Sequence, residues 1–247
     1  MPNAATASCG SQTDRRNCLD LNRVQTVDDR IEIRNIIVSV FDKRKLEMLV
    51  PALLGLSPDV RIYSTGNTFR LLSTVIAESD RSRLLQISDY TGQPEMQGGL
   101  VKTLDYRIYL GLLSETYNEH HAQDLERTGS ISFDMTVCNL YPFTQVVAGS
   151  GGKAARLEDA RANIDIGGPC MLRASAKNFL RVLPVCDPDD YEPLVAELTR
   201  SSGSVSLATR YAFARKAFRH TADYDVAIAE YLAGRELAAG DYQYGAH

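Results

Sequence analysis

The stretch Asn163-Ile164-Asp165-Ile166-Gly167-Gly168-Pro169-Cys170-Met171-Leu172-Arg173-Ala174-Ser175-Ala176-Lys177-Asn178 decides how this chain is read. A short apolar run ends at an acid, two glycines follow, and a proline opens a helical pattern. Proline suits the first helical turn, where its missing N–H has no intrahelical partner. The glycines allow close approach to the backbone, and the N–H groups of a first turn attract anionic or oxygen-rich groups. Asp165 precedes the turn, and Lys177 follows Pro169 by about two helical turns. A carboxylate and an amine around a glycine turn can serve acid–base chemistry. Taken alone, a loop–helix junction with a capping acid and a surface lysine has the same pattern.

Outward from that stretch, strands and helices alternate. Ile31 to Phe41 is β-branched and bounded by charge, which predicts a buried strand with Asp42 and Lys43 at its carboxyl end. Lys45 to Leu56 has helical periodicity. Asp59 to Tyr63 reads as a second strand running into Ser64-Thr65-Gly66-Asn67-Thr68 and a helix over Phe69 to Glu78. A loop of hydroxyls and glycine between strand and helix can cradle a phosphate, although such residues also cap helices. Arg83 to Ile87 is a third strand, Ile108 to Leu113 a fourth, and Asn118 to Arg127 a helix. Phe133 to Leu140 is a buried strand ending at Tyr141-Pro142-Phe143. Arg181 to Cys186 adds another strand, and helices over Pro188 to Arg200 and Ser206 to Leu232 follow. The alternation predicts an α/β fold with a mainly parallel sheet covered on both faces, whose ligands bind at the carboxyl ends of the strands.

The composition narrows the function. Net charge is −4 over 247 residues, which provides no basic field for nucleic acid. No apolar run is long enough to span a bilayer. The five cysteines show no metal-ligand spacing and fit reduced thiols, so a cytoplasmic location and no metal are expected. Residues 1–30 lack apolar periodicity and read as a disordered extension, 31–233 as the folded domain, and 234–247 as a flexible tail.

Six runs come in the order of a known family: Ser64 to Thr68, Val101-Lys102-Thr103-Leu104, Cys138 to Phe143, Ile164 to Gly168, Ala176-Lys177-Asn178 and Lys216-Ala217-Phe218-Arg219-His220-Thr221. They resemble the IMP cyclohydrolase domain of the bifunctional purine-biosynthesis protein that also carries AICAR transformylase. The resemblance covers residues 33 to 232, without a transformylase half. It implies a three-layer αβα sandwich of the methylglyoxal-synthase type. It also implies an enzyme of the cyclic-amidine class that closes, or reversibly opens, a purine ring. In that reaction a carboxamide nitrogen attacks a formamide carbon of FAICAR and water leaves, with no cofactor and no metal.

The resemblance assigns catalysis to Lys102, Tyr141, Asp165 and Lys177, with Asp165 held near Lys177 to take the carboxamide proton. It assigns substrate binding to Ser39, Lys43, Thr65, Gly66, Asn67, Thr68, Thr103, Cys138, Asn139, Ile166, Gly167 and Gly168. The expected partner is a purine-precursor nucleotide, with neither nucleic acid nor membrane involved, and the expected state is a monomer or homodimer. His220 is expected to make structural hydrogen bonds.

The departures are in the nucleotide-holding residues. Phe41 follows the first strand where the family has serine, Asn67 replaces a glycine, Leu100 an arginine, and Asp105 a histidine. Tyr109 stands where the family has a second histidine. A divergent paralogue acting on a related heterocyclic nucleotide or nucleoside is the alternative to FAICAR cyclisation. A nucleotide-binding module without turnover is a third reading.

Overall fold

The computed structural model describes residues 23–93, 102–149, 155–237 and 242. Leu100 and Val101, together with residues 1–22 of the expected extension, lie outside them. The strand expected over Ile31 to Phe41 is two strands, β1 (Arg30–Glu32) and β2 (Asn35–Val40), in different sheets. The Asp134 carboxylate accepts the N–H groups of Arg34 (3.0 Å) and Asn35 (2.9 Å), and the chain turns there.

Beyond β2 come α1 (Leu46–Leu56), β3 (Arg61–Ser64), α2 (Gly66–Val75), β4 (Leu84–Gln86) and α3 (Ile87–Thr91). After them follow α4 (Tyr106–Leu113), α5 (Glu119–Thr128), β5 (Met135–Asn139), α6 (Phe143–Val147), α7 (Leu157–Ala162) and α8 (Gly167–Lys177). The chain closes with β6 (Leu183–Val185), α9 (Tyr191–Arg200), β7 (Ser204–Ser206) and α10 (Leu207–Ala233).

Five strands form one parallel sheet in the order β4-β3-β2-β5-β6. The strand predicted over Ile108 to Leu113 is instead the helix α4. Asp105 caps it by accepting the Arg107 N–H at 2.8 Å, and Ile108 and Leu112 bury one helical face. Alternate residues of β2 enter different cores. Ile36, Val38 and Val40 pack with α1, α2 and α9, whereas Ile37 packs with α4, α8 and α10. Helices therefore flank both faces, as parallel pairing demands. Antiparallel β1–β7 pairing makes a separate two-stranded sheet, and the β7 strand was not expected from the sequence.

Two buried arginines organise the pole opposite the strands' carboxyl ends. Arg181 donates to the carbonyls of Ser114 and Phe133, both at 3.0 Å. Arg210, with no exposed surface, donates to the carbonyls of Asp28, Asp29, Phe179, Leu180 and Val205. Burial pushes the Arg210 pKa down, with Asp29 and Asp28 opposing the shift. Residues 28 and 29, placed in the extension by sequence, are thus tied to the body of the fold. Among the described residues, no helix is long and apolar enough to cross a membrane.

Candidate active site

The chain leaves β2 toward β3 and β4 on one side, and returns to β5 and β6 on the other. The carboxyl ends of β2 and β5 therefore flank the topological switch point, where ligands of such sheets bind. Asn139 joins the two ends. Its Oδ1 accepts the N–H groups of Phe41 and Asp42, each at 2.8 Å, and its Nδ2 donates to the Asp42 carbonyl at 2.9 Å.

On the β3 side, Ser39 and Thr65 bring their hydroxyls within 3.3 Å, and Thr65 leads into α2. Gly66 has φ +47°, and a Cβ there would lie 3.3 Å from the Lys102 Nζ. Glycine accordingly serves both the left-handed turn and the approach of the ammonium. Lys102, Thr65, Gly66, Ser64, Gln86, Ile87, Ser88 and Gln93 line a small niche with an interior volume of about 10 Å³, room for roughly one water-sized group. Thr103, next to Lys102, is buried with its hydroxyl against Gly167 at the start of α8.

Asp165 sits beyond that contact. Its Oδ1 accepts the Gly168 N–H at 3.0 Å, the Tyr141 N–H also reaches the carboxylate, and its own N–H donates to the Tyr224 hydroxyl at 2.8 Å. Any side chain at Gly168 would collide with Asp165 Oδ2, since its Cβ would stand 2.5 Å away. Burial raises the Asp165 pKa above the ordinary aspartate value, and the Gly168 and Tyr141 N–H groups oppose the rise. Tyr141 is half exposed, its ring 5.1 Å from that of Phe41.

Ser39, Thr65, Gly66, Lys102, Thr103, Gly167, Asp165 and Tyr141 thus follow one another along the carboxyl edge of the sheet. Lys177 does not join them. It is the last residue of α8 and is exposed, about 15 Å along the helix axis from Gly167 at 1.5 Å per residue. The proximity of Asp165 and Lys177 expected from sequence is absent within one chain, because a straight helix separates them.

Several expected binding residues face protein partners. The Thr68 hydroxyl donates to the Val40 carbonyl at 3.1 Å, and the Cys138 thiol points to the Gly168 carbonyl at 3.8 Å. Burial puts the Cys138 pKa well above the usual thiol value. Lys43 Nζ donates to the Val40 and Phe41 carbonyls at 3.4 and 3.2 Å, and the exposed Asn67 accepts from Arg70 at 3.2 Å. Ile166 is exposed just before α8.

A wider cleft opens beyond Tyr141, lined on the far side by Asp187, Lys216, Arg219 and His220. Lys216 pairs with Asp187 (2.7 Å) and Asp190 (2.8 Å). His220 Nε2 is buried with no hydrogen-bond partner among the described residues, contrary to the structural hydrogen bond expected of it. Burial lowers its pKa, which keeps the ring neutral near pH 7. Gln93 and Asp105 also belong to the site region, joined by a 2.9 Å hydrogen bond from Gln93 Nε2 to Asp105 Oδ2. Sequence reasoning missed Gln93, whose only signal was its place in a turn-rich run.

Comparison with known proteins places the chain in a family. Residues 175–245 match the family described as AICARFT/IMPCHase bienzyme. The bifunctional purine biosynthesis protein PurH of Ruminiclostridium cellulolyticum is 40% identical over 200 residues, covering 81% of this chain and 37% of that protein. PurH of Cyanothece is 50% identical over 147 residues, covering 60% of this chain and 28% of that protein. A solved structure described as that of ForH is 33% identical, with a TM-score of 0.66, covering 81% of this chain and 99% of that one. The chain belongs to the PurH-related AICARFT/IMPCHase family, and it spans between 28% and 39% of the length of these PurH proteins.

Proposed function

We propose that the protein is a cyclohydrolase-type enzyme that closes, or reversibly opens, the six-membered ring of a purine-like heterocyclic nucleotide or nucleoside related to FAICAR. The observation that carries this reading is the alignment of Lys102, Asp165 and Tyr141 along one edge of the sheet. Ring closure joins a carboxamide nitrogen to a formamide carbon and expels the formyl oxygen as water. It requires an acceptor for the amide proton and donors at the developing oxyanion. Asp165 takes the proton: its pKa is raised, which makes it a better base than an ordinary aspartate, and two N–H groups hold it in place. Lys102 and Tyr141 stabilise the oxyanion and protonate it to a hydroxyl; a second proton, passed on from Asp165, lets it leave as water while the formamide nitrogen gives up its own proton and forms the ring C=N bond. Nucleophile and electrophile belong to one molecule, so the edge contributes mainly conformational restriction and proton transfer.

A substrate altered from FAICAR is favoured over FAICAR itself. The chain resembles ForH over 81% of its own length, as well as the PurH proteins. Departures from the family also stand at both ends of the edge: Phe41 packs on the Tyr141 ring, and Asp105 holds Gln93 in the Lys102 niche. The test is an absorbance assay of the purified protein with FAICAR and with its dephosphorylated nucleoside. Ring closure of either compound supports the chemistry. Turnover of FAICAR at micromolar concentration, with the nucleoside inert, returns the substrate to FAICAR.

A further inference from the structure

The niche beside Lys102 has one wall whose polarity is set by a single ionised side chain. Asp105 is 6% exposed, and its Oδ1 is occupied by the Arg107 N–H at the start of α4. Its Oδ2 accepts from Gln93 Nε2 at 2.9 Å. A carboxylate only accepts, so the nitrogen of the Gln93 amide must face Asp105 and the oxygen must face away. That oxygen, Oε1, is buried and has no hydrogen-bond partner among the described residues, and Gln93 lines the niche with Thr65, Ser88 and Lys102. A buried carbonyl left without a donor opposes folding, and such groups are uncommon unless something else meets them.

We propose that Gln93 is a specificity-determining residue, and Asp105 the positioning residue that fixes it, so that the niche accepts a polar group able to donate a hydrogen bond. Gln93 Oε1 meets the proton of that group, and the hydroxyls of Thr65 and Ser88 across the niche meet its lone pairs. A hydroxyl fulfils both roles, as does a phosphate that retains a proton. A phosphate dianion has no proton to offer and would place charge against a fixed carbonyl. The inference rests on the purine-type ligand proposed above, and it sharpens that reading at the polar group of the ligand that enters the niche.

The Asp105→Asn substitution reverses the niche. The amide oxygen it introduces still caps α4, while the amide nitrogen now donates, so Gln93 turns its own oxygen inward and presents N–H groups to the ligand. The experiment is calorimetric titration with inosine and with IMP at pH 8, where the phosphate, whose second pKa is about 6, is a dianion. Wild-type protein is expected to bind inosine at least as tightly as IMP. Asp105→Asn is expected to shift the ratio of the two affinities tenfold or more toward IMP. Tighter binding of inosine identifies a hydroxyl as the natural occupant. Equal wild-type affinities, with IMP favoured further at pH 5.5 than inosine, identify the protonated phosphate.

A wild type preferring IMP tenfold at pH 8 would overturn the inference, as would an unchanged ratio in folded Asp105→Asn or no saturable binding of either probe. Should Asp105→Asn fail to fold, Gln93→Met carries the same test: inosine binding falls tenfold or more and IMP binding does not. The absorbance assay above needs neither probe, so failure of the ring chemistry is read separately.

Discussion

The Lys102 ammonium lies 3.3 Å from the point where a side chain on Gly66 would begin. Gly66 also opens α2 with φ +47°, so alanine there meets both a backbone penalty of about 1 kcal/mol and a cation in its path. Gly66→Ala is expected to lower the thermal midpoint modestly and turnover by an order of magnitude or more. Paired melting curves and steady-state kinetics check it. Unchanged kinetics would take Lys102 out of the reaction.

Asp165 carries the pH dependence. Its pKa is raised by burial, so the folded state holds that proton at pH values where an unfolded aspartate, near 3.9, has lost it. The sign follows: on this group's account, stability declines as pH rises through the interval between the unfolded and folded values. Activity takes the opposite course, since the base must be ionised. The acid limb of kcat/KM is expected to have its midpoint above the ordinary aspartate value, and Asp165→Asn to cost roughly 10²-fold or more in kcat while melting near wild type. An Asp165→Asn variant with normal kcat would remove the base from the scheme.

Lys177 and Lys102 should behave differently. Lys102→Ala is expected to lower kcat about 10²-fold, whereas Lys177→Ala, exposed at the far end of α8, should keep kcat within roughly threefold. Steady-state rates of the two variants at matched folding decide the point. A hundredfold loss from Lys177→Ala at unchanged stability would mean that one copy's lysine works in another copy's site.

The five carbonyls around Arg210 make a stability prediction. Arg210→Met keeps apolar bulk but strands those acceptors, at a cost of about 3 kcal/mol or more. Urea unfolding should show a lower midpoint at an unchanged slope. Catalytic constants of the folded fraction should stay near wild type, because Arg210 touches no residue of the edge.

Much of the architecture was legible because periodicity reports burial. The β-branched run Ile36 to Val40 and the apolar run Met135 to Cys138 form central strands, as their composition predicts. Local patterns misled where long-range contacts decide. Ile108 to Leu113 looks like a strand by content, yet its cap at Asp105 and the four-residue spacing of Ile108 and Leu112 make it helical. The break before Asn35 depends on Asp134, 99 residues away. The site was legible as a set of motifs, and the edge it forms follows from parallel topology. Its internal distances were not. No spacing rule says that Asp165 and Lys177 lie at opposite ends of one helix until the helix is known to run unbroken. Gln93 escaped notice because its importance lies in which end of its amide Asp105 holds.

Asn139 acts as a tie-rod across the sheet. With the loops after β2 and β5 bolted to one amide before any ligand arrives, the span from Phe41 to Tyr141 becomes a fixed gauge rather than a closing jaw. Ligands are then sorted by length as well as by charge. A molecule too short to bridge the gauge cannot recruit both ends by pulling them together. One that fits meets them already at working distance, and the chain needs no induced closure of these two loops to start the chemistry.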